Sequence, residues 1–414
     1  MARRVVVTGI GALTPIGNNA LAFRKALFDG RSGAGPITRF DASKFKTRFA
    51  CEVKGFNPED FLEKKEARKL DAFVQYALVA AHEAFQDAGL ENSAWDAERC
   101  GVIWASGIGG LDTLVEEIGN FARGDGTPRF NPFFIPKTIV DIAAGHISIK
   151  YGFRGPNYST VSACASSTHA LFDALNLIRL GKADLILCGG SEAAVNPAGI
   201  GGFNAMHALS TRNESPETAS RPFDKGRDGF VLGEGAGAMV VEEYEHALRR
   251  GARIYCELAG AACTADAHHI TAPHPEGLGA RRVMEACLAD AGMRPEDIDY
   301  INVHGTSTPL GDIAETRAIL EVFGAHAYQL NISSTKSMTG HLLGAAGIVE
   351  ALACLFAIDE QAVPPTINHF EDDPEIDNAL NFTFHVPQKR VVRAALSNTF
   401  GFGGHNASVI LKAL

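Results

Sequence analysis

The sequence predicts an α/β fold made of two similar halves, and three observations carry that prediction. Short β-rich runs alternate with longer stretches of helical periodicity, which is the pattern of sheets covered by helices. The chain has 414 residues, 46% of them hydrophobic and 21% charged. That is enough for one large core or for two of about 200 residues each. Finally, "AFQDAGLENSAWDAERCGVIWASGIGGLDTLVEEI" and "CLADAGMRPEDIDYINVHGTSTPLGDIAETRAI" share a helix, an Asp-Ala-Gly, an acidic loop, a strand, a small-residue turn and a second helix. Asp87 to Gly89 then matches Asp290 to Gly292, and the halves 1–250 and 251–414 meet near Gly251. Chance likeness between generic βα units is the alternative that the sequence alone leaves open.

In chain order, strands are expected at "RRVVVTG", "GVIWAS", "NYSTVSA", "DLILCGG" and "AMVVEEY" in the first half. The second half offers "YCELAGA", "YINVHG", "QLNISS", "RAALSNTF" and "ASVILKAL". Among the helices, "RKLDAFVQYALVAAHEAFQDAGL" carries an apolar stripe at Leu70, Phe73, Tyr76, Ala77, Ala80, Ala84 and Phe85. A second echo pairs the strand and helix around Cys164 with "NISSTKSMTGHLLGAAGIVEALACLFAI", where a helix is expected to begin near His341. Its apolar part, Leu342 to Ile358, is shorter than a membrane span and has Glu350 at its middle, so it reads as a buried core helix.

Composition excludes several classes. A formal net charge of -10 argues against a general binder of nucleic acid or anionic membrane. An acidic partner would need a local basic patch. The eight cysteines show no CxxC and no paired short spacing, so neither a zinc site nor a disulfide framework is indicated. "MARRVVVTGIG" has no long apolar segment and no small-residue cleavage site, so a cytoplasmic protein without an export signal is expected. "GIGALT" lacks the third glycine of a dinucleotide fingerprint, and "GEGAGA" runs into a strand. His268, His269 and His274 lie in a loop without the i,i+4 spacing of a helical metal site, and they are read as loop residues lining a channel.

Four motifs remain as candidates for chemistry. Cys164 stands between a strand and the helix "SSTHALFDALNLIRLG", where free N–H groups and the helix dipole favour a thiolate. A small buried cysteine is the competing reading. His304 ends a strand in "INVHGTSTPLGD", where open α/β sheets place ligands; Thr306 and Thr308 there are binding residues or turn and cap residues. Lys336 and His341 fall near a helix start in "SSTKSMTGHLLGAAGIVE". The glycines of "SNTFGFGGHNAS" let backbone approach a ligand, so that an N–H there can stabilise an oxyanion.

Cys164 in "SACASS", His304 in "VHGTSTPLGD", Lys336 and His341 in "STKSMTGHLLGAAG", and "NTFGFGGHN", in this order, resemble the β-ketoacyl-[acyl carrier protein] synthases over essentially the whole chain. The elongating synthase II group is the nearest, with "SGIGGL", "FFIPKTIV", "AGHISIKYG", "RGPN", "ALSTRN" and "SRPFDKGRDGFVLGEGAG". The resemblance implies a thiolase-type fold with a layered α-β-α-β-α core. It also implies an acyltransferase of fatty acid biosynthesis that condenses an enzyme-bound acyl chain with malonyl-[acyl carrier protein], releasing CO2. Cys164 would carry the acyl chain, with the N–H groups of Cys164 and Phe402 as the oxyanion hole. His304 and His341 would hold the malonyl thioester carbonyl. Lys336 would order the cluster, with Asp312 and Glu350 behind it.

The same resemblance makes Thr306 and Thr308 contacts of the pantetheine arm, Phe402 a gate, and Phe400, Ile108 and Phe203 parts of the gate and acyl pocket. Lys65, Arg68 and Lys69 become the patch for the acidic acyl carrier protein. A homodimer is implied, and no metal or organic cofactor. Initiating synthases would show asparagine at position 341, and a thiolase a second cysteine in the "GFGGHN" loop. A chain-length-factor subunit would lack the nucleophile. Polyketide and aryl-polyene ketosynthases share the catalytic residues, so pocket depth decides between them and a fatty acid enzyme.

Overall fold

The computed structural model describes residues 3–414. Ten strands form the main sheet. In chain order they are β1 (Val5–Leu13), β2 (Cys100–Ala105), β3 (Asn157–Tyr158), β4 (Leu185–Glu192), β5 (Gly235–Glu243), β6 (Cys256–Ala265), β7 (Tyr300–Asn302), β8 (Asn331–Ser333), β9 (Ala394–Gly401) and β10 (His405–Lys412). The spatial order is β8-β7-β9-β10-β6-β1-β5-β4-β2-β3. Counted outward from the centre, each half therefore places its first, fifth, fourth, second and third strand in turn. The directions match too. The inner pairs β1–β5, β5–β4, β6–β10 and β10–β9 are antiparallel, and the outer pairs β4–β2, β2–β3, β9–β7 and β7–β8 are parallel. The halves join through a short antiparallel contact of Val6 and Val7 with Glu257 and Cys256.

The echo noted in the sequence has a structural cause. Both β1 and β6 carry a register break, after Val7 in one and opposite Ile410/Leu411 in the other. Next to each break an aspartate accepts the freed backbone N–H: Asp87 from Ile10 at 3.0 Å, and Asp290 from Ala261 at 3.0 Å. A bulge leaves a donor unpaired, and a buried donor needs a partner. The duplicated Asp-Ala-Gly supplies it twice.

Helices fill three layers. Helix α1 (Ala72–Asp87) covers the first half-sheet, touching β1, β5 and β4, and α5 (Leu278–Ala291) covers β6 and β10 of the second. Helix α6 (Pro309–Phe323) packs beside α5. Between the half-sheets lie α4 (Ser166–Arg179) and α7 (Ala346–Glu360), each touching strands of both halves and one another. The result is the expected α-β-α-β-α layering. All of α7 from Ala346 to Ile358 is buried, including Glu350, which accounts for a segment hydrophobic all round. No helix among the described residues is long and apolar enough to cross a membrane.

Three expectations about elements need correction. "NYSTVSA" forms ladder only at Asn157–Tyr158, because the chain then leaves the sheet edge to build a turn around Cys164. The helix expected near His341 begins at Ala346, after a single turn at Lys336–Thr339 and a 3-10 turn at Leu343–Ala345. Helix α1 starts at Ala72 rather than near Arg68, since the Asp71 side chain caps it and also accepts from the Thr113 N–H and hydroxyl. The whole predicted stripe from Leu70 to Phe85 is nevertheless buried.

Candidate active site

Cys164 sits in the turn that leads into α4. Ala163 just before it has φ +51, a conformation that a non-glycine residue holds only under constraint. Ser166 supplies that constraint, since its hydroxyl donates to the Ala163 carbonyl at 2.6 Å and accepts from the Ser162 N–H at 2.9 Å. Two residues of the second half face the sulfur. The His341 Nε2 lies 3.0 Å from Sγ, and the Phe402 backbone N–H points at it. The His341 backbone is clamped by the first half, donating to Val231 and accepting from Gly233 at 2.8 and 2.9 Å. The "GEGAGA" glycines thus serve backbone pairing, Gly233 with His341 and Gly235 and Gly237 within β5.

His304 follows β7, and its ring meets that of His341 edge-on at 5.3 Å between centroids. The sulfur and one ring nitrogen of each histidine lie within 4.8 Å of one another. Lys336 is buried and forms an ion pair with Glu350 of α7. Burial, reinforced by the Lys336 charge, holds both imidazoles well below the usual histidine range, so they are neutral at pH 7. Burial pushes the Glu350 carboxyl up to about 7 against the pull of Lys336.

Burial works against the thiolate expected at Cys164. Burial pushes the thiol up to about 12, outweighing the opposite pull of Lys336 and the Phe402 N–H. Cys164 is only 8% exposed, and a helix start two residues away does not replace the lost water. The His341 Nε2, 3.0 Å from the buried thiol, is placed to take its proton.

A cavity of about 600 Å³ opens onto this cluster. Ile108, Phe203, Phe400, Phe402, Thr306 and Thr308 line it, as sequence reasoning expected. The Thr306 and Thr308 hydroxyls are 3.0 Å apart, and the Thr308 side chain makes no cap bond, so the turn-and-cap reading does not explain Thr308. Of the histidine loop, Ile270 to His274 line the cavity, whereas His268 and His269 do not.

Asp312 is placed differently from the expectation. It accepts from the Phe223 N–H at 3.0 Å and lies 3.4 Å from Arg227, away from Lys336 and the histidines. The acid that supports His304 is Glu315, one turn further along α6. Its carboxylate accepts from the backbone N–H groups of His304 and Gly305 at 2.9 and 2.8 Å. Its signal in the sequence was an acid embedded among the apolar residues Ile313, Ala314, Ala318 and Ile319. Sequence reasoning also missed Phe230, which meets His341 edge-on at 5.3 Å and packs against Phe203. Lys65 and Arg68 are exposed, while Lys69 is half-buried and paired with Glu66 at 2.7 Å.

The family models for the beta-ketoacyl synthase N-terminal and C-terminal domains match residues 2–247 and 255–370. The chain belongs to the β-ketoacyl synthase family. Among its relatives is a Synechocystis sp. protein named 3-oxoacyl-[acyl-carrier-protein] synthase 2, 50% identical over 99% of this chain and 98% of the relative. A Vibrio cholerae protein of the same name is 49% identical over 100% and 99%. Among solved structures, the ishigamide ketosynthase/chain length factor superposes with a TM-score of 0.92 at 35% identity, covering 100% of both chains. A ketosynthase of a type II PKS, in complex with its acyl-carrier protein, gives 0.91 at 36% identity, again over 100% of both. The layered fold of this ketoacyl synthase is the thiolase type.

Proposed function

We propose that this chain elongates acyl chains in fatty acid synthesis by decarboxylative Claisen condensation. An acyl group on Cys164 and malonyl-[acyl carrier protein] give 3-oxoacyl-[acyl carrier protein] and CO2. The observation that carries this reading is a thiol and two neutral imidazoles converging at the base of a cavity lined by aromatic and aliphatic side chains. Full-length identity of about half to proteins named synthase 2, against about a third to the polyketide ketosynthases, favours the fatty acid substrate.

In the first step the Cys164 sulfur attacks the acyl thioester. Its proton passes to the His341 Nε2 and then to the departing carrier thiolate, while the N–H groups of Cys164 and Phe402 hold the oxyanion. In the second, His304 and His341, the latter after its proton has moved to Nε2, donate to the malonyl thioester oxygen as the C–CO2 bond breaks, and the enolate carbon attacks the acyl thioester. The Cys164 sulfur leaves as a thiolate and takes up a proton from water, the one proton that loss of CO2 from the malonyl carboxylate consumes. Neutral histidines suit this role, because the enolate forms against donors that bring no solvated charge into the site. Burial and the Lys336 charge keep them neutral, Glu350 pairs with Lys336, and Glu315 holds the His304 backbone. The charge develops against N–H donors, so the reaction needs no metal or organic cofactor, and the Lys336 cation opposes a divalent ion at the Cys-His-His set.

Thr306 and Thr308 fit the pantetheine arm, Phe402 and Phe400 the gate, and Ile108 and Phe203 the acyl pocket. Lys65 and Arg68 would dock the carrier protein, with Lys69 contributing less because Glu66 already pairs with it. The division of labour assigns the nucleophile to 1–250 and the histidines to 251–414. The reading also makes the protein a cytoplasmic homodimer. The test is product analysis with acyl- and malonyl-carrier proteins: formation of the 3-oxoacyl product with equimolar CO2 supports the reading, and CO2 without product refutes it.

A further inference from the structure

Glu192 ends β4 and is fully buried, and four donors rather than a cation hold it. Its Oε1 accepts from the Ser106 hydroxyl at 2.9 Å and the Ile108 N–H at 3.1 Å. Its Oε2 accepts from the Gly107 N–H at 2.7 Å and the Gly344 N–H at 2.9 Å. These donors come from two segments that are distant in sequence. One is the turn after β2 that carries Ile108 into the cavity wall; the other joins His341 to α7 and puts Leu343 into the same cavity. The segments are in direct contact, since a Cβ on Gly344 would stand 2.1 Å from the Gly107 nitrogen and 2.8 Å from Oε2. Leu343 has φ +48, a strained conformation that the bond to the next N–H helps to hold.

Building on the function proposed above, we infer that Glu192 is a positioning residue. Its carboxylate ties the Ile108 wall of the acyl pocket to the His341–Gly344 segment, so that pocket shape and placement of His341 are set together. Only an ionised carboxylate accepts from all four donors at once. A glutamine amide facing Ser106 and Ile108 can donate to the serine hydroxyl but leaves the Ile108 N–H without an acceptor. Turned the other way, it abandons both glycines. The Glu192 charge also opposes thiolate formation at Cys164, so the tie has an electrostatic side.

The test uses Glu192→Gln, with Ser106→Ala as a milder second variant that keeps the carboxylate and removes one donor. Hydrogen exchange reads the tie without any substrate. In Glu192→Gln, exchange should rise in 106–109 and 341–345 together, and a rise in only one segment, or in neither, overturns the inference. Kinetically, the ratio of kcat/KM for long over medium acyl-carrier proteins should shift by about three- to tenfold, the worth of one hydrogen bond. Malonyl decarboxylation should fall with it. Ser106→Ala should shift the ratio the same way by less. Uniform slowing of all chain lengths, with a lower melting temperature and an unchanged ratio, would mark Glu192 as merely structural. If wild type accepts no acyl chain, the proposed function fails, and the exchange result still decides whether the tie exists.

Discussion

At the residue scale, the chemistry rests on keeping Cys164, His304 and His341 neutral until substrate arrives. A thiol pushed up to about 12 has little thiolate at pH 7, and its thiolate fraction rises about tenfold per pH unit below that value. Alkylation of Cys164 by iodoacetamide should therefore keep rising from pH 7 to 10, without the levelling near 8.5 of a free thiol. Levelling at or below pH 8 would contradict the burial argument. Lys336→Met should slow alkylation further at any given pH, because it removes the nearest charge favouring the thiolate. His304→Ala or His341→Ala should reduce malonyl decarboxylation by about 100- to 1000-fold, the usual loss for one oxyanion donor. In His304→Ala acyl transfer to Cys164 should suffer less, and equal loss of both half-reactions there would sink that division of roles; His341→Ala, which also removes the acceptor of the Cys164 proton, should lose acyl transfer as well. The three candidate residues were legible because each falls within a recognisable motif, Cys164 just before a helix, His304 just after a strand, and His341 between two short turns. Glu315 and Glu192 were not. An acid inside an apolar segment reads the same whether it faces water or backbone donors, and the donors of Glu192 lie 84 to 86 and 152 residues away. The burial that works against a Cys164 thiolate was hidden for the same reason: the local helix start was visible, but the distant chain that buries the sulfur was not.

At the element scale, the two central helices explain both the site and its rigidity. Helix α4 follows the nucleophile and α7 follows His341, and they meet where a Cβ on Gly347 would stand 2.0 Å from the Thr168 hydroxyl. Gly347→Ala should therefore cost about 1–3 kcal/mol, as overpacking does, and should lower the denaturant midpoint without changing the slope. A neutral result would mean that the helices can part without loss. The periodicity of α1 and α7 was plain, because their buried stripes need only local sequence. Strand lengths were not: Ser159 to Ala163 are β-branched and small enough for a strand, but they bend into the Cys164 turn under hydrogen bonds from Ser166.

At the scale of the whole molecule, the duplicated halves face each other so that one brings the thiol and the other both histidines. The duplication was legible as an echo of Asp-Ala-Gly. The matching strand order and the paired bonds of Asp87 and Asp290 show that the halves share one topology, which no linear pattern reveals. The helix Leu111–Arg123 and the turn Phe134–Thr138 expose Leu114, Ile118, Phe121 and Ile135, apolar side chains suited to a second copy. Light scattering should give twice 44.0 kDa, and the monomer mass would contradict the dimer. Lys65→Ala with Arg68→Ala should raise KM for the acyl carrier protein several-fold at low salt, with kcat nearly unchanged and the difference shrinking as salt is added. The central claim, that Cys164 carries the growing chain, is tested most directly by intact-protein mass after mixing with acyl-carrier proteins of graded length. An acyl-sized gain on wild type, strongest for medium or long chains and absent from Cys164→Ala, is the predicted result. A gain that persists in Cys164→Ala, or no gain with any chain, would contradict it.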